Sequence, residues 1–290
     1  MKTSRSEFIK LNGRQYHVRI WGDDDAPTFF FLHGWCDVSA SFQFVVDALP
    51  GQWRVIAPDW RSFGLSQWND GPYWFPDYLA DLDALLDHYS PGQPACIAGH
   101  SMGGNVTGLY AGVRPERVAR FANLEGFGLW VVEPVEATAR FGKWLQQVRD
   151  DTAAFSRYAN RGEFAARLCR DNPRLTPERA AFLAEHALRG VDGELTFAGD
   201  PRHRWINPVL YRVEEAKACW RQVSAATLWV AAHDSFIMKG FVGREAEYRE
   251  RLACFADVRE ILLDDCGHNI HHDQPERIAG LLEDFFAARQ

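Results

Sequence analysis

Ala95-Cys96-Ile97-Ala98-Gly99-His100-Ser101-Met102-Gly103-Gly104-Asn105-Val106-Thr107 carries the strongest structural signal in the chain. Its opening, Ala95 to Ala98, is a short apolar run, the pattern of a strand buried on both faces. Its end leads into a helical pattern from Gly103 to Val113. Between them Gly99-His100-Ser101-Met102-Gly103 fits G-x-S-x-G. A turn from strand to helix in so few residues crowds the backbone, so small residues must flank the central serine. The serine then projects above the sheet edge at a helix N-terminus. In this context Ser101 is the candidate nucleophile. Outside it, the same five residues would read as an ordinary turn.

Working outward, other buried runs have the same form. Thr28 to Leu32 ends at His33-Gly34, Arg54 to Ala57 ends at Pro58-Asp59, and Arg120 to Leu124 precedes Glu125-Gly126. Before them, Phe8 to Leu11 and Tyr16 to Trp21 flank Asn12-Gly13, a hairpin turn. Helical patterns separate the runs: Ser41 to Leu49, Pro76 to Tyr89 with an apolar stripe at Tyr78, Leu82, Leu85, Leu86 and Tyr89, and Gly103 to Val113. Alternating strands and helices predict a doubly wound α/β sheet. The rhythm breaks after Gly126. Residues 128–220 read as helices, at Glu133 to Val148, Glu163 to Leu168 and Pro177 to Leu188, with no convincing buried strand. The strand pattern returns at Thr227 to Ala231 and Arg259 to Leu263, with helices at Gly243 to Phe255 and Pro275 to Ala288. Asp273 and Glu276 have capping-box spacing around Pro275. The organisation expected is a core made of residues 1–127 and 221–290, interrupted by a helical cap of residues 128–220.

Composition narrows the function. A 290-residue chain that is 47% hydrophobic and 24% charged is not disordered, and at 33.0 kDa it can bury a large core without staples. A net charge of −7 with no basic tract argues against nucleic acid as a partner. Runs such as Phe29 to Leu32 are far too short to span a membrane, and the first residues turn polar where a signal peptide would need an apolar region. Cys36, Cys96, Cys169, Cys219, Cys254 and Cys266 are scattered without a C-x-x-C pair, so reduced thiols and a cytoplasmic location are expected. Asn105-Val106-Thr107 matches a glycosylation sequon, but inside a helical pattern it carries no weight. The 11 Trp and 20 Phe suit a large apolar pocket or lid as well as core.

With these residues in view the chain resembles the α/β-hydrolase fold family. The resemblance rests on His33-Gly34-Trp35, Pro58-Asp59-Trp60-Arg61, the turn at Ser101, and Gly267-His268 near the end, and so covers nearly the whole length. Within the family it looks most like the small capped hydrolases and the serine hydrolase-like proteins. That implies a mostly parallel eight-stranded sheet with flanking helices and an inserted helical cap.

A serine hydroxyl needs a base to take its proton, and the near-neutral pKa of histidine suits the task. In this fold the order is serine, acid, histidine. His268, in Asp265-Cys266-Gly267-His268-Asn269, matches the family's histidine loop. The acid has two candidates: Asp234, after the strand Thr227 to Ala231, is preferred, and Glu125, after Arg120 to Leu124, is the alternative used by some branches. Ala231 stands where the family has a glycine. Asp264 and Asp265 are read as loop residues, and His100 as packing at the turn. The oxyanion hole is expected from the backbone N–H groups of Met102 and Trp35. Phe127, Trp130, Phe141, Trp144, Trp205 and Phe236 are candidate pocket residues, with Ile237 beside the last. His271 and His272 lie close to His268, but no carboxylate or cysteine pattern accompanies them, so no metal is expected, and no cofactor either.

The leading reading is a serine hydrolase acting on small to medium carboxylic esters through an acyl-enzyme. The sequence is silent on oligomeric state. Two alternatives share the fold: a cofactor-free dioxygenase, because His33-Gly34-Trp35-Cys36 and Pro58-Asp59-Trp60-Arg61 are similar to the ring-cleaving quinolone dioxygenases, and a slow-turnover ligand receptor. Haloalkane dehalogenases and epoxide hydrolases use an aspartate nucleophile, which Ser101 excludes.

Overall fold

The computed structural model describes residues 1–288. In chain order the core begins with β1 (Ser4–Leu11), β2 (Arg14–Trp21), β3 (Thr28–Leu32), α1 (Gln43–Ala48), β4 (Arg54–Pro58), α2 (Pro76–Tyr89), β5 (Ala95–His100), α3 (Met102–Val113) and β6 (Val118–Leu124). A long insertion follows, with α4 (Ala137–Asp150), β7 (Arg157–Tyr158), α5 (Arg161–Asp171), α6 (Pro177–Ala187), β8 (Leu188–Val191) and β9 (Glu194–Phe197). The chain closes with α7 (Val213–Trp220), β10 (Ala226–Ala232), α8 (Phe236–Lys239), α9 (Glu245–Leu252), β11 (Val258–Leu263), α10 (Ile270–Asp273) and α11 (Pro275–Ala287).

The main sheet has eight strands in the order β1-β2-β4-β3-β5-β6-β10-β11. β1 and β2 form the expected antiparallel hairpin on Asn12 and Gly13, both at positive φ, and the pairs from β4 to β11 are parallel. The continuous apolar runs have a direct cause. In β3, Phe29 and Phe31 enter one buried cluster and Phe30 and Leu32 the other, so both faces need apolar residues. One cluster packs under α1 and α11, the other under α2, α3 and α7. Each Phe or Leu so buried contributes about 1.5–3 kcal/mol. β5 is central, so the turn at its end sits in the middle of the sheet's carboxyl edge, where open α/β sheets place their sites.

The insertion differs from expectation. It contains a small antiparallel sheet, β7-β9-β8, beside its helices. These strands are two to four residues long and largely half-exposed, so they lack the apolar run that marks a core strand. Their turn, Asp192-Gly193 at φ 52° and 84°, was the available signal. β9 leads back to the core: Gly64 N–H donates to Ala198 O (2.7 Å) and Asp200 N–H to Ser62 O (2.9 Å). The expected capping box at α11 is also absent. Gln274 is the N-cap, and the Asp273 carboxylate instead accepts from Gly267 N–H (2.7 Å) and Asn172 Nδ2–H (2.6 Å), joining the His268 loop to the insertion. Among the described residues no helix is long and apolar enough to cross a membrane, and no cysteines are paired.

Candidate active site

Ser101 sits between β5 and α3 at φ 50°, ψ −111°, a conformation unfavourable for a residue with a side chain. Its surroundings hold it there. Ser101 N–H donates to Leu124 O (2.8 Å), and Asn105 N–H donates to Ser101 O (2.9 Å). The neighbouring glycines are sterically required. A Cβ on Gly99 would lie 2.5 Å from the Gly103 backbone, and one on Gly103 would lie 2.1 Å from Leu32 O. The loop after β3 presses on the same point, since a Cβ on Gly34 would come within 3.2 Å of Ser101 Cβ. Trp35, the next residue, and Met102, the first residue of α3, line the same cavity as the serine.

His33 fixes that loop. Its Nδ1–H donates to Gly34 O (2.7 Å), so Nε2 is free to accept from Trp60 N–H (2.9 Å), and the Trp60 indole N–H donates to His33 O (3.0 Å). The two stretches His33-Gly34-Trp35 and Pro58-Asp59-Trp60-Arg61 thus form one hydrogen-bonded unit.

His268 lies in the loop after β11. Its Nδ1 is 2.9 Å from Glu125 Oε2. Glu125 follows β6 at φ 62°, with its N–H on Val230 O (2.9 Å), and its Oε1 accepts from Ala232 N–H at the end of β10 (2.6 Å). The carboxyl group is 1% exposed as a residue and spans the gap between the two strand ends. Burial pushes Glu125 up to about 8, opposed by the hydrogen bonds from Ala232 and Ser235, and burial pushes His268 down to about 4. Both groups are driven toward their neutral forms.

The preference for Asp234 over Glu125 is corrected here. Asp234 lies past the end of β10, its side chain is 47% exposed, and its Oδ2 meets Arg174 Nη2 of the insertion at 2.5 Å. It is a surface ion pair, with Glu125 standing between β10 and the histidine.

Several supporting residues escaped the sequence reading. Asn123 Oδ1 accepts from Gly126 N–H (2.7 Å) and its Nδ2–H donates to Gly126 O (2.9 Å), while Asn105 Oδ1 accepts from Gly128 N–H (2.6 Å). The buried Arg251 donates to Phe127 O (2.6 Å) and Leu129 O (3.2 Å). Together they fix the segment that carries Glu125. His100, behind the serine, does more than pack: its Nε2–H donates to His268 O (2.9 Å).

A cavity of about 420 Å³ opens above Ser101 and is lined by Ser101, Trp35 and Met102. Of the six pocket candidates, Trp144 and Trp205 line it. Phe127 is instead core, packed on Trp229, Tyr248 and Phe241. Trp130 packs on Phe241 and under Arg244, and Phe141 is exposed on α4. Phe236 stays off the cavity wall but lies against the His268 ring, with centroids 4.5 Å apart. The missing wall comes from the core: Pro72, Tyr73, Trp74, Phe75 and Tyr78, before and at the start of α2. The aromatic run Tyr73-Trp74-Phe75 was visible in the sequence, and its place in a loop was the clue. His203 of the insertion stacks between Phe63 (4.0 Å) and Tyr73 (3.6 Å), and burial holds it neutral, down to about 3.

A doubly wound sheet, a strained serine at the central strand's end and a histidine on a buried carboxylate define a class, and residues 27–275 match the family model described as alpha/beta hydrolase fold. The chain belongs to that family. It is similar to a serine hydrolase-like protein of Danio rerio, 29% identical over 98% of this chain and 89% of that one. It is also similar to serine hydrolase-like protein 2 of Homo sapiens, 24% identical over 92% and 89%. A hypothetical protein of Pseudomonas aeruginosa, solved as a crystal structure, superposes with a TM-score of 0.85 at 25% identity, over 98% of this chain and 99% of that one.

Proposed function

We propose that the protein is a serine hydrolase that cleaves small to medium carboxylic esters with an apolar part, through an acyl-enzyme on Ser101. The observation that carries the reading is the pairing of His268 Nδ1 with the buried Glu125 carboxylate at 2.9 Å, on a loop hydrogen-bonded to His100 next to a serine that lines an apolar cavity. Glu125 accepts from Nδ1–H, which leaves the Nε2 lone pair as the base. His268 Nε2 takes the Ser101 hydroxyl proton as Oγ bonds to the ester carbonyl carbon, and the carbonyl electron pair moves onto oxygen. The N–H groups of Trp35 and Met102 receive that oxyanion. When the tetrahedral intermediate collapses, the bond to the alcohol oxygen breaks and His268 returns its proton to the leaving alcohol. Water then repeats the sequence on the acyl-enzyme and frees the acid. The chemistry needs no metal or cofactor.

Residues 128–220 act as a lid in this reading. Trp144 and Trp205 from the lid face the aromatic wall Tyr73-Trp74-Phe75 of the core, so the substrate's apolar part lies between them. The test is a hydrolysis profile across p-nitrophenyl esters of increasing acyl length, with oxygen uptake followed on an N-heteroaromatic substrate in parallel. Ester turnover lost in Ser101→Ala supports the proposal. Oxygen consumption without ester turnover replaces it with the dioxygenase alternative, and stoichiometric binding without turnover replaces it with the receptor.

A further inference from the structure

Behind the serine, four imidazoles run inward from the site. Ring centroids are 4.9 Å apart for His268 and His100, 4.3 Å for His100 and His271, and 4.0 Å for His271 and His272. His100, His271 and His272 are buried. Buried polar groups nearly always have partners, because leaving one unpaired costs about 1–3 kcal/mol. Among the described residues His100 Nδ1, both ring nitrogens of His271 and His272 Nε2 have no hydrogen-bond partner. Several unpaired nitrogens in one place, with His271 0% exposed, need an explanation.

Asp37, in the loop after β3, supplies one. The ligand atoms of Asp37, His100 and His271 all lie within 4.8 Å of one another. Asp37 Oδ2 accepts from Ser41 Oγ–H (2.7 Å), which orients it, and lies 3.5 Å from His271 Nε2. That distance exceeds a normal hydrogen bond to nitrogen. It is close to the roughly 3.3 Å that separates two N/O ligands held about 2.0–2.1 Å from one tetrahedral ion. Two imidazoles and one carboxylate are a borderline-soft ligand set suited to zinc. The sequence hid it because Asp37 is far along the chain from His271.

We propose that Asp37, His100 and His271 form a zinc-class metal site beneath the serine, separate from the reacting groups. The site would tie the loop bearing Trp35, the serine turn and the His268 loop to one ion, with a coordination position left for water.

The test is titration of chelator-treated protein with Zn²⁺ by calorimetry and with Co²⁺ by visible absorption. One ion per chain and a tetrahedral Co²⁺ spectrum are expected. His271→Gln and Asp37→Asn should each weaken binding by about 100-fold or more, since even residues that only support metal ligands contribute about 10–100-fold. His268→Ala should bind as the wild type does. Absence of binding by the folded wild type overturns the proposal whatever the variants do. So does binding that disappears in His268→Ala, because the ion would then sit on the reacting groups. Anomalous diffraction from a Zn²⁺-loaded crystal locates the ion directly, and a peak elsewhere also overturns the proposal.

Discussion

Replacing Glu125 by glutamine separates what the carboxylate does for the reaction from what it does to the fold. Glutamine keeps the shape and can still accept from Ala232 N–H, now 2.6 Å from Oε1. It removes the charge that holds the proton on His268 Nδ1. In a comparable protease triad the same loss costs about 10⁴ in kcat, and a fall of that order is expected here. Stability should move the opposite way. The carboxyl rises from 4.5 to about 8 on burial. Between those values the folded state keeps a proton that the unfolded state releases, so the wild type loses stability as pH rises through that window. At about 1.4 kcal/mol for each tenfold in proton affinity, the upper bound is about 5 kcal/mol. Glu125→Gln lacks the linkage. In urea denaturation it should therefore gain on the wild type by 1 kcal/mol or more at pH 8, with little gain at pH 5. A variant with near-normal ester turnover, or a stability difference that does not change between the two pH values, rules out this role for Glu125.

Asp234→Asn should change kcat less than about threefold and stability by no more than about 1 kcal/mol, because a half-exposed ion pair contributes little; steady-state kinetics and thermal melting check both. kcat/KM should rise with pH through neutrality and level near pH 8, since burial lifts Glu125 and a proton on the Glu125–His268 pair disables the base. A pH profile that peaks near 5 and falls toward 8 contradicts this. Trp144→Ala and Trp205→Ala should shift the preferred acyl length by one or more methylenes, each discriminated by about 1–3 kcal/mol, whereas Trp130→Ala, which is off the cavity, should leave the kcat/KM profile unchanged.

The fold was legible because its signals were local. The runs of β3, β4, β5 and β6 are apolar over most of their length, without alternation, since both sheet faces are covered, and the serine turn needs its glycines for space that the chain itself fills. What escaped depends on contacts across the sheet or on short, exposed elements. Glu125 and Asp234 each follow a strand, and β6 and β10 are neighbours, so chain order allows either to reach His268. The choice turns on the positive φ at Glu125 and on the Ala232 N–H that its carboxylate meets, neither of which leaves a periodic trace. β8 and β9 escaped because half-exposed strands of four residues have no apolar run, though Asp192-Gly193 marked their turn. Asp273 looked like a helix cap because its spacing suits one, yet Gly267 N–H offers it a partner that no local pattern contains. The pocket was sought in the insertion and just past the ends of β6 and β10, while one wall comes from the loop before α2.

In the proposed reaction Ser101 forms the covalent intermediate. A fluorophosphonate probe followed by peptide mass spectrometry tests it most directly. One adduct per chain is expected on the peptide carrying Ser101, blocked by a competing ester substrate and lost in Ser101→Ala. An adduct on another residue, or undiminished labelling and turnover in Ser101→Ala, would contradict it.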